Sequence, residues 1–159
     1  MNSPWLHVIL YQPEIAANAG AIGRTCVAVG ARLWLVRPLG FRLSDRLIRR
    51  AGLDYWDRLD LRLVDGLDEI VQSLGHDRIW SFSTKGPRRY TDVTYRAGDG
   101  LLFGPESRGL PDSWLKSQDD RVLRIPILPE ARSLNLASSV AIAVFEGMRQ
   151  LEFQGLAIP

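Results

Sequence analysis

The stretch that most constrains the fold is 124–153, RIPILPEARSLNLASSVAIAVFEGMRQLEF, in which a strand, a polar loop and an apolar helix follow one another. The run ending at Ile125 predicts a short buried strand, which Pro126 stops because proline cannot donate to a sheet ladder. From about Leu136, small apolar residues predict a helix buried on more than one face. In the polar loop between them, Ser133 or Asn135 can cap the helix. The alternative is that the helix start and the loop backbone face a ligand.

Strand and helix patterns alternate along the rest of the chain. This order predicts an α/β fold, a parallel sheet with helices on both faces. The length of 159 residues indicates a single domain, 1–159. Segment 84–99 shows no clear periodicity. The predicted strands are 5–11, 32–36, 61–64, 78–83, 100–103 and 122–125, and the predicted helices are 18–29, 42–50, 65–74, 111–116 and the one from 136.

Composition excludes several classes of protein. No apolar run reaches membrane-spanning length, and the N-terminus lacks a signal-like pattern, so a cytoplasmic protein without a membrane partner is expected. The single cysteine, Cys26, rules out an internal disulfide framework and is typical of a core thiol. His7 and His76 show no metal-ligand spacing with it, so no metal is expected.

Arginine dominates the basic residues. The net charge is only +2, but 18 of the 20 basic residues are arginine, which fits either a GC-rich genome or phosphate recognition. Helical spacing places several of these arginines on overlapping faces, which is typical of a solvated face or, together with Tyr90, of a polyanion-binding surface. Tyr55 or Trp56 can stack on bases. The arginines with helical spacing are Arg42, Arg46, Arg49 and Arg50, and the set beside Tyr90 is Arg88 and Arg89.

Glycines and small polar residues concentrate after four predicted strands, in segments 18–24, 83–87, 104–111 and 132–135. Ligands of parallel α/β sheets bind beyond the carboxyl ends of the strands, so these segments predict one site. Residues 18–23 look like a dinucleotide fingerprint without its first glycine, and Arg37 stands where a 2′-phosphate partner occurs in NADP sites. A nucleotide-dependent oxidoreductase is therefore one alternative.

Together these segments resemble the SPOUT superfamily of trefoil-knot methyltransferases. Within it, they resemble the minimal single-domain type that methylates the ribose 2′-hydroxyl at the tRNA wobble position. The resemblance covers nearly the whole chain, and 49–55 (RRAGLDY) is similar to the wobble-specific subgroup. Ala21 stands where the family often has asparagine. The matching motifs are N-x-G-x-I-x-R at 18–24, LFGPESRGLP at 102–111, and IP at 125–126 with RSLNLA at 132–137.

The resemblance implies a fold whose C-terminal segment threads a deep trefoil knot. It implies a homodimer in which the partner subunit completes each site. It also implies that S-adenosylmethionine is bound by the loops after the fourth, fifth and sixth predicted strands, and that the substrate is tRNA, through its anticodon stem-loop. The implied cofactor contacts are Phe82, Gly104, Ile125 and Ser133, and the implied substrate contacts are Asn18, Arg49, Arg50, Glu106, Arg132 and Asn135.

Arg24 is the catalytic residue that the resemblance implies. An arginine is a poor base because its pKa is above about 12. It can instead orient the hydroxyl, stabilise a developing alkoxide or act with an RNA phosphate. Glu106 is the nearest ordinary base, or it only holds its loop. Two alternative functions are compatible with the same fold. One is a 2′-O-methyltransferase for another RNA such as ribosomal RNA, and the other is a non-catalytic knotted RNA-binding module.

Overall fold

All strands in the computed structural model, which describes residues 3–44 and 55–157, lie in one sheet, and every pairing is parallel. The strand order is β3-β2-β1-β6-β4-β7-β5. The strands are β1 (Leu6–Tyr11), β2 (Arg32–Val36), β3 (Leu61–Val64), β4 (Ile79–Phe82), β5 (Arg88–Arg89), β6 (Asp99–Phe103) and β7 (Val122–Arg124), and the helices are α1 (Ala16–Val29), α2 (Leu67–Leu74), α3 (Asp112–Ser117) and α4 (Leu136–Gln150).

The structure confirms the parallel α/β architecture, all six predicted strands, and four of the predicted helices to within two residues at their starts. The predicted helix over 42–50 falls mostly on residues 45–50, outside the described residues. β5 was not predicted. It has only two residues, and it forms because Arg88 and Arg89 pair with Leu123 and Arg124 of β7. A strand this short has no periodicity that a sequence can show.

Helices cover both faces of the sheet. Side chains alternate between the faces along β1. Leu6, Val8 and Leu10 face a core that includes residues of α1 and α4. Ile9 faces the second core, which includes Ile70 of α2. α1 ends at Gly30, which adopts the left-handed conformation (φ 70°) typical of a helix C-terminus.

α4 is only partly covered. Its residues Val140, Val144 and Met148 are fully buried, as the small apolar pattern predicted. The expected burial on more than one face is not complete within one chain, because Ile142 and Phe145 remain 37% and 47% exposed. Within residues 3–44 and 55–157, no helix combines the length and the apolar character needed to cross a bilayer.

His7 is a buried titratable group in the middle of the sheet. It is 5% exposed, and its Nδ1 accepts a hydrogen bond of 3.0 Å from the indole Nε1 of Trp34. Burial and, to a lesser extent, the nearby Arg32 lower the pKa of His7 from 6.5 to about 4. The imidazole is therefore neutral at physiological pH.

We expect His7 to destabilise the fold in mild acid. The unfolded chain takes up a proton near pH 6.5 and the folded chain only near pH 4. The free energy of unfolding should therefore fall as the pH is lowered from 6.5 to 4, by at most about 3.4 kcal/mol. Urea unfolding at several pH values measures this. His7→Gln keeps an acceptor for Trp34 but cannot titrate, and its stability should change less over the same window. If the unfolding free energies of the wild type and His7→Gln changed equally with pH, His7 would not be the group responsible.

Candidate functional site

A cavity of about 490 Å³ opens at the carboxyl ends of β4, β6 and β7. As the sequence predicted, segments from all four strand ends line it, because β1, β6, β4 and β7 are consecutive neighbours in the sheet. The structure therefore brings together eight residues expected from the sequence. They are Phe82, Gly104, Ile125, Ser133, Asn18, Glu106, Arg132 and Asn135.

Two stacked phenyl rings form part of the cavity lining. Phe82 and Phe103 are register partners on the neighbouring strands β4 and β6, so their side chains leave the sheet side by side. Their ring centroids lie 4.7 Å apart at an interplanar angle of 17°. Leu110, Ile125 and Ile127 add apolar surface to the same lining. This part of the cavity suits a flat or apolar portion of a ligand.

Gly104 stands where β6 enters its loop and where the backbone folds back on itself. A Cβ at this position would lie 2.3 Å from the carbonyl carbon of Gly109 and 2.3 Å from the amide nitrogen of Leu110. Gly109 itself has a positive φ of 71°. Both glycines are thus required by the loop that forms one side of the cavity.

Glu106 reaches from this loop to the start of α1. Its carboxylate accepts from the backbone N–H of Glu14 (2.8 Å), from the backbone N–H of Ile15 (3.1 Å) and from Asn18 Nδ2 (3.2 Å). Asn18 Oδ1 in turn accepts from Asn135 Nδ2 at 3.0 Å. Asn135 Oδ1 caps α4 by accepting from the backbone N–H of Ser138 at 3.2 Å. Asn135, not Ser133, is therefore the cap of α4.

Glu14 is a site residue that the sequence analysis missed. Its carboxylate accepts from Ser107 Oγ (2.6 Å) and from the backbone N–H of Ser107 (3.0 Å), so it holds the loop after β6 from the opposite direction. Arg108 lies 3.6 Å from the same carboxylate. An acidic residue two positions before the first residue of α1 was the available signal, since anions are favoured near a helix start.

Arg24 does not line this cavity. It follows Asn18 by six positions on α1, which is about 9 Å along the helix axis and about 120° around it. Its side chain is exposed, and its guanidinium carbon lies 5.1 Å from the ring centroid of Tyr55. Tyr55, expected to stack on bases, thus contacts Arg24. Arg49 and Arg50 lie outside the described residues.

Cys26 is fully buried, and burial raises the pKa of its thiol to about 12. This agrees with the prediction of a core thiol, since a protonated, inaccessible sulfur is a poor nucleophile. Across the part of the chain that the structure describes, no three His, Cys, Asp or Glu side chains lie close enough to share a metal ion.

Known proteins match this chain over most of its length. A tRNA (cytidine(34)-2'-O)-methyltransferase of Aeromonas hydrophila is 44% identical over 151 residues, covering 94% of this chain and 97% of that protein. A structure from work on the 2-OH methylation of C/U34 on tRNA superposes with a TM-score of 0.87 at 48% identity, covering 92% of this chain and 96% of that one.

A second similar structure contains a cofactor. It is an AdoMet-bound rRNA methyltransferase from Sinorhizobium meliloti, with a TM-score of 0.81 and 27% identity, covering 94% of this chain and 58% of that one. The SpoU rRNA Methylase family matches residues 5–145, a range that contains all seven strands and the first ten residues of α4. On this match, and on the relatives with the same architecture, the chain belongs to the SpoU rRNA methylase family.

Proposed function

We propose that this protein transfers a methyl group from S-adenosylmethionine to the ribose 2′-hydroxyl of the wobble nucleotide in the tRNA anticodon loop. The main support for the proposal is that the loops containing the three motifs line one cavity. Phe82, Gly104, Ile125 and Ser133 all belong to that lining. The full-length similarity to tRNA (cytidine(34)-2'-O)-methyltransferases supports the same substrate.

The cavity residues fit S-adenosylmethionine. A volume of about 490 Å³ lies within the roughly 300–1,000 Å³ usual for small-molecule sites. The stacked pair Phe82 and Phe103 offers apolar surface for a nucleobase, and Ser133 and the backbone around Gly104 offer polar partners. When bound, the cofactor supplies an electrophilic methyl group on a sulfonium. The chain's own part is then to hold the two reactants in line and to keep the hydroxyl oriented.

Arg24 is the residue we propose to orient the ribose hydroxyl. Its permanently charged guanidinium can donate to the hydroxyl oxygen and stabilise negative charge that develops on it. It lies outside the cavity lining of its own chain. We therefore propose that Arg24 acts at the cavity of the partner subunit in a homodimer.

The outward faces of two helices support the homodimer. α1 presents Ala17, Ala21 and Ala28 beside Arg24 on its exposed side, an almost uncharged surface. α4, which packs against α1, exposes Ile142 and Phe145. Helices that face water usually carry charged residues on that side, so such surfaces are typical of helices that bury a second face against a partner.

We expect Phe145→Glu to convert a dimer to a monomer and to abolish methyl transfer, because a charge would be buried in the interface. Light scattering at micromolar concentration should give twice the chain mass for the wild type and the single mass for the variant. Gln72→Glu is the matched control: it adds the same charge at an exposed position of α2, on the other side of the sheet. A wild-type monomer with full activity would contradict the dimer.

The substrate assignment is tested by mass spectrometry of nuclease-digested tRNA from cells that lack the protein. The 2′-O-methyl group at the wobble ribose should be lost and should return on complementation. If a 2′-O-methyl group were lost from another tRNA position, or from ribosomal RNA only, that position would be the substrate and the proposed one would be wrong. A protein that binds tRNA without turnover would instead be an RNA-binding module.

A thermal-shift comparison addresses the oxidoreductase alternative. S-adenosylhomocysteine should raise the melting temperature, because a ligand that binds only the folded state stabilises it, and NADP should not. The reverse result would favour a nucleotide-dependent oxidoreductase.

The deep knot and the cytoplasmic location belong to the same proposal.

A further inference from the structure

We propose that Glu106 is a positioning residue and not the proton acceptor, and that it acts through Asn18 and Asn135. These three side chains form the Glu106–Asn18–Asn135 chain, a continuous line of hydrogen bonds that holds the start of α1 against the cavity loops. The inference rests on the proposed methyl transfer, because it assigns a role within that site.

The first step concerns the start of α1, which lacks a local cap. The residue at the N-cap position is Ile15, whose side chain makes no capping hydrogen bond. The free N–H groups at a helix start need acceptors. Glu106 supplies one from 91 positions away, by accepting from the backbone N–H of Ile15 at the N-cap position, and its other oxygen accepts from the backbone N–H of Glu14, directly before the N-cap. Its negative charge is also favoured at this end of a helix.

The second step concerns the direction of the hydrogen bonds in the Glu106–Asn18–Asn135 chain. Asn135 Oδ1 is occupied in capping α4, so its amide NH₂ faces Asn18. Asn18 must then present Oδ1 to Asn135 and its own NH₂ to Glu106. The last member of such a chain has to be an acceptor, which an ionised carboxylate is. Asn18 is only 8% exposed, so reversing or breaking this order leaves polar groups unpaired away from water.

The third step concerns the carboxylate itself. Glu106 accepts three hydrogen bonds from its own chain. Oε1 accepts two of them and Oε2 accepts one, so a proton taken from the ribose would remove the negative charge that these donors and the start of α1 stabilise. Arg24 lies about two helical turns beyond this cap. A small shift of α1 therefore moves Arg24, and a misplacement of about 1 Å can cost roughly a hundredfold in rate.

The test compares Glu106→Gln with Glu106→Ala in single-turnover methylation of tRNA across a range of pH. Glutamine retains an acceptor for the helix start, whereas alanine does not. A positioning role predicts that Glu106→Ala loses roughly a hundredfold in rate, that Glu106→Gln recovers most of it, and that both keep the wild-type pH profile. If Glu106 is the base, both variants fail alike and the acidic limb of the profile disappears.

A second readout does not depend on activity. Amide hydrogen exchange over residues 14–18 should accelerate in Glu106→Ala and in Asn18→Ala, because the first removes the acceptor of the Glu14 and Ile15 N–H groups and the second removes the amide that holds this acceptor in place. The control is Asp68→Asn, which removes a carboxylate from the first turn of α2 and should change neither the exchange of residues 14–18 nor the methylation rate. Unchanged exchange in Glu106→Ala overturns the proposal. If the wild type does not methylate tRNA but exchange accelerates as expected, the proposed function fails while the helix-positioning contact stands.

Discussion

Arg24→Ala should lose roughly a hundred- to thousandfold of the methyl-transfer rate and retain cofactor affinity. Removing one preorganised donor to a developing oxyanion typically costs about 2.7–4 kcal/mol, which corresponds to that loss. Cofactor affinity should persist because Arg24 is not among the residues that line the cavity. Single-turnover methylation with saturating tRNA measures the first effect, and calorimetry with S-adenosylhomocysteine measures the second.

Arg24→Lys should fail nearly as badly as Arg24→Ala, since an ammonium group lacks the planar fork that can hold a hydroxyl and a phosphate together. Arg62→Ala is the matched control: it removes an exposed arginine on β3, whose Nε lies 3.8 Å from Asp60. Turnover by Arg24→Ala within a few fold of the wild type would show that the catalytic assignment is wrong. A loss of cofactor affinity would instead place Arg24 in the cofactor pocket.

Gly104→Ala should remove most of the cofactor affinity. Its new Cβ would lie 2.3 Å from two backbone atoms, the carbonyl carbon of Gly109 and the amide nitrogen of Leu110. Backbone atoms cannot move aside as a flexible side chain does, so the loop that lines the cavity has to shift. Overpacking of this kind costs about 1–3 kcal/mol. If binding requires the original loop, affinity falls by roughly 5- to 150-fold. Calorimetry with S-adenosylhomocysteine gives the loss.

Gly66→Ala provides the control for Gly104→Ala. A Cβ at Gly66 has no heavy atom within 4 Å, and its backbone is extended, with φ −159°. This variant should bind S-adenosylhomocysteine and unfold like the wild type. Wild-type affinity in Gly104→Ala would show that the loop after β6 does not contact the cofactor.

Much of the fold was predictable because its signals are local. Leu6, Leu10 and Leu33 are almost completely buried and belong to apolar runs that became strands, and such runs bounded by turn residues identify strands directly. Gly30 and Gly75 follow two helices as C-terminal signals, and both helices end there. β5 escaped prediction because its two residues are a strand only through their pairing with β7.

The sequence by itself determined the four described helices, six of the seven described strands, their parallel arrangement, and the segments that line the cavity. Periodicity, turn residues and strand ends are properties of neighbouring positions. Only the tertiary structure decided how those segments hold one another. It paired Glu106 with Glu14 and Asn18, and Asn18 with Asn135. It also placed Arg24 beside Tyr55 and away from the cavity of its own chain. Hydrogen-bond partners up to 117 positions apart depend on distances and directions in space, which no local pattern of residues encodes.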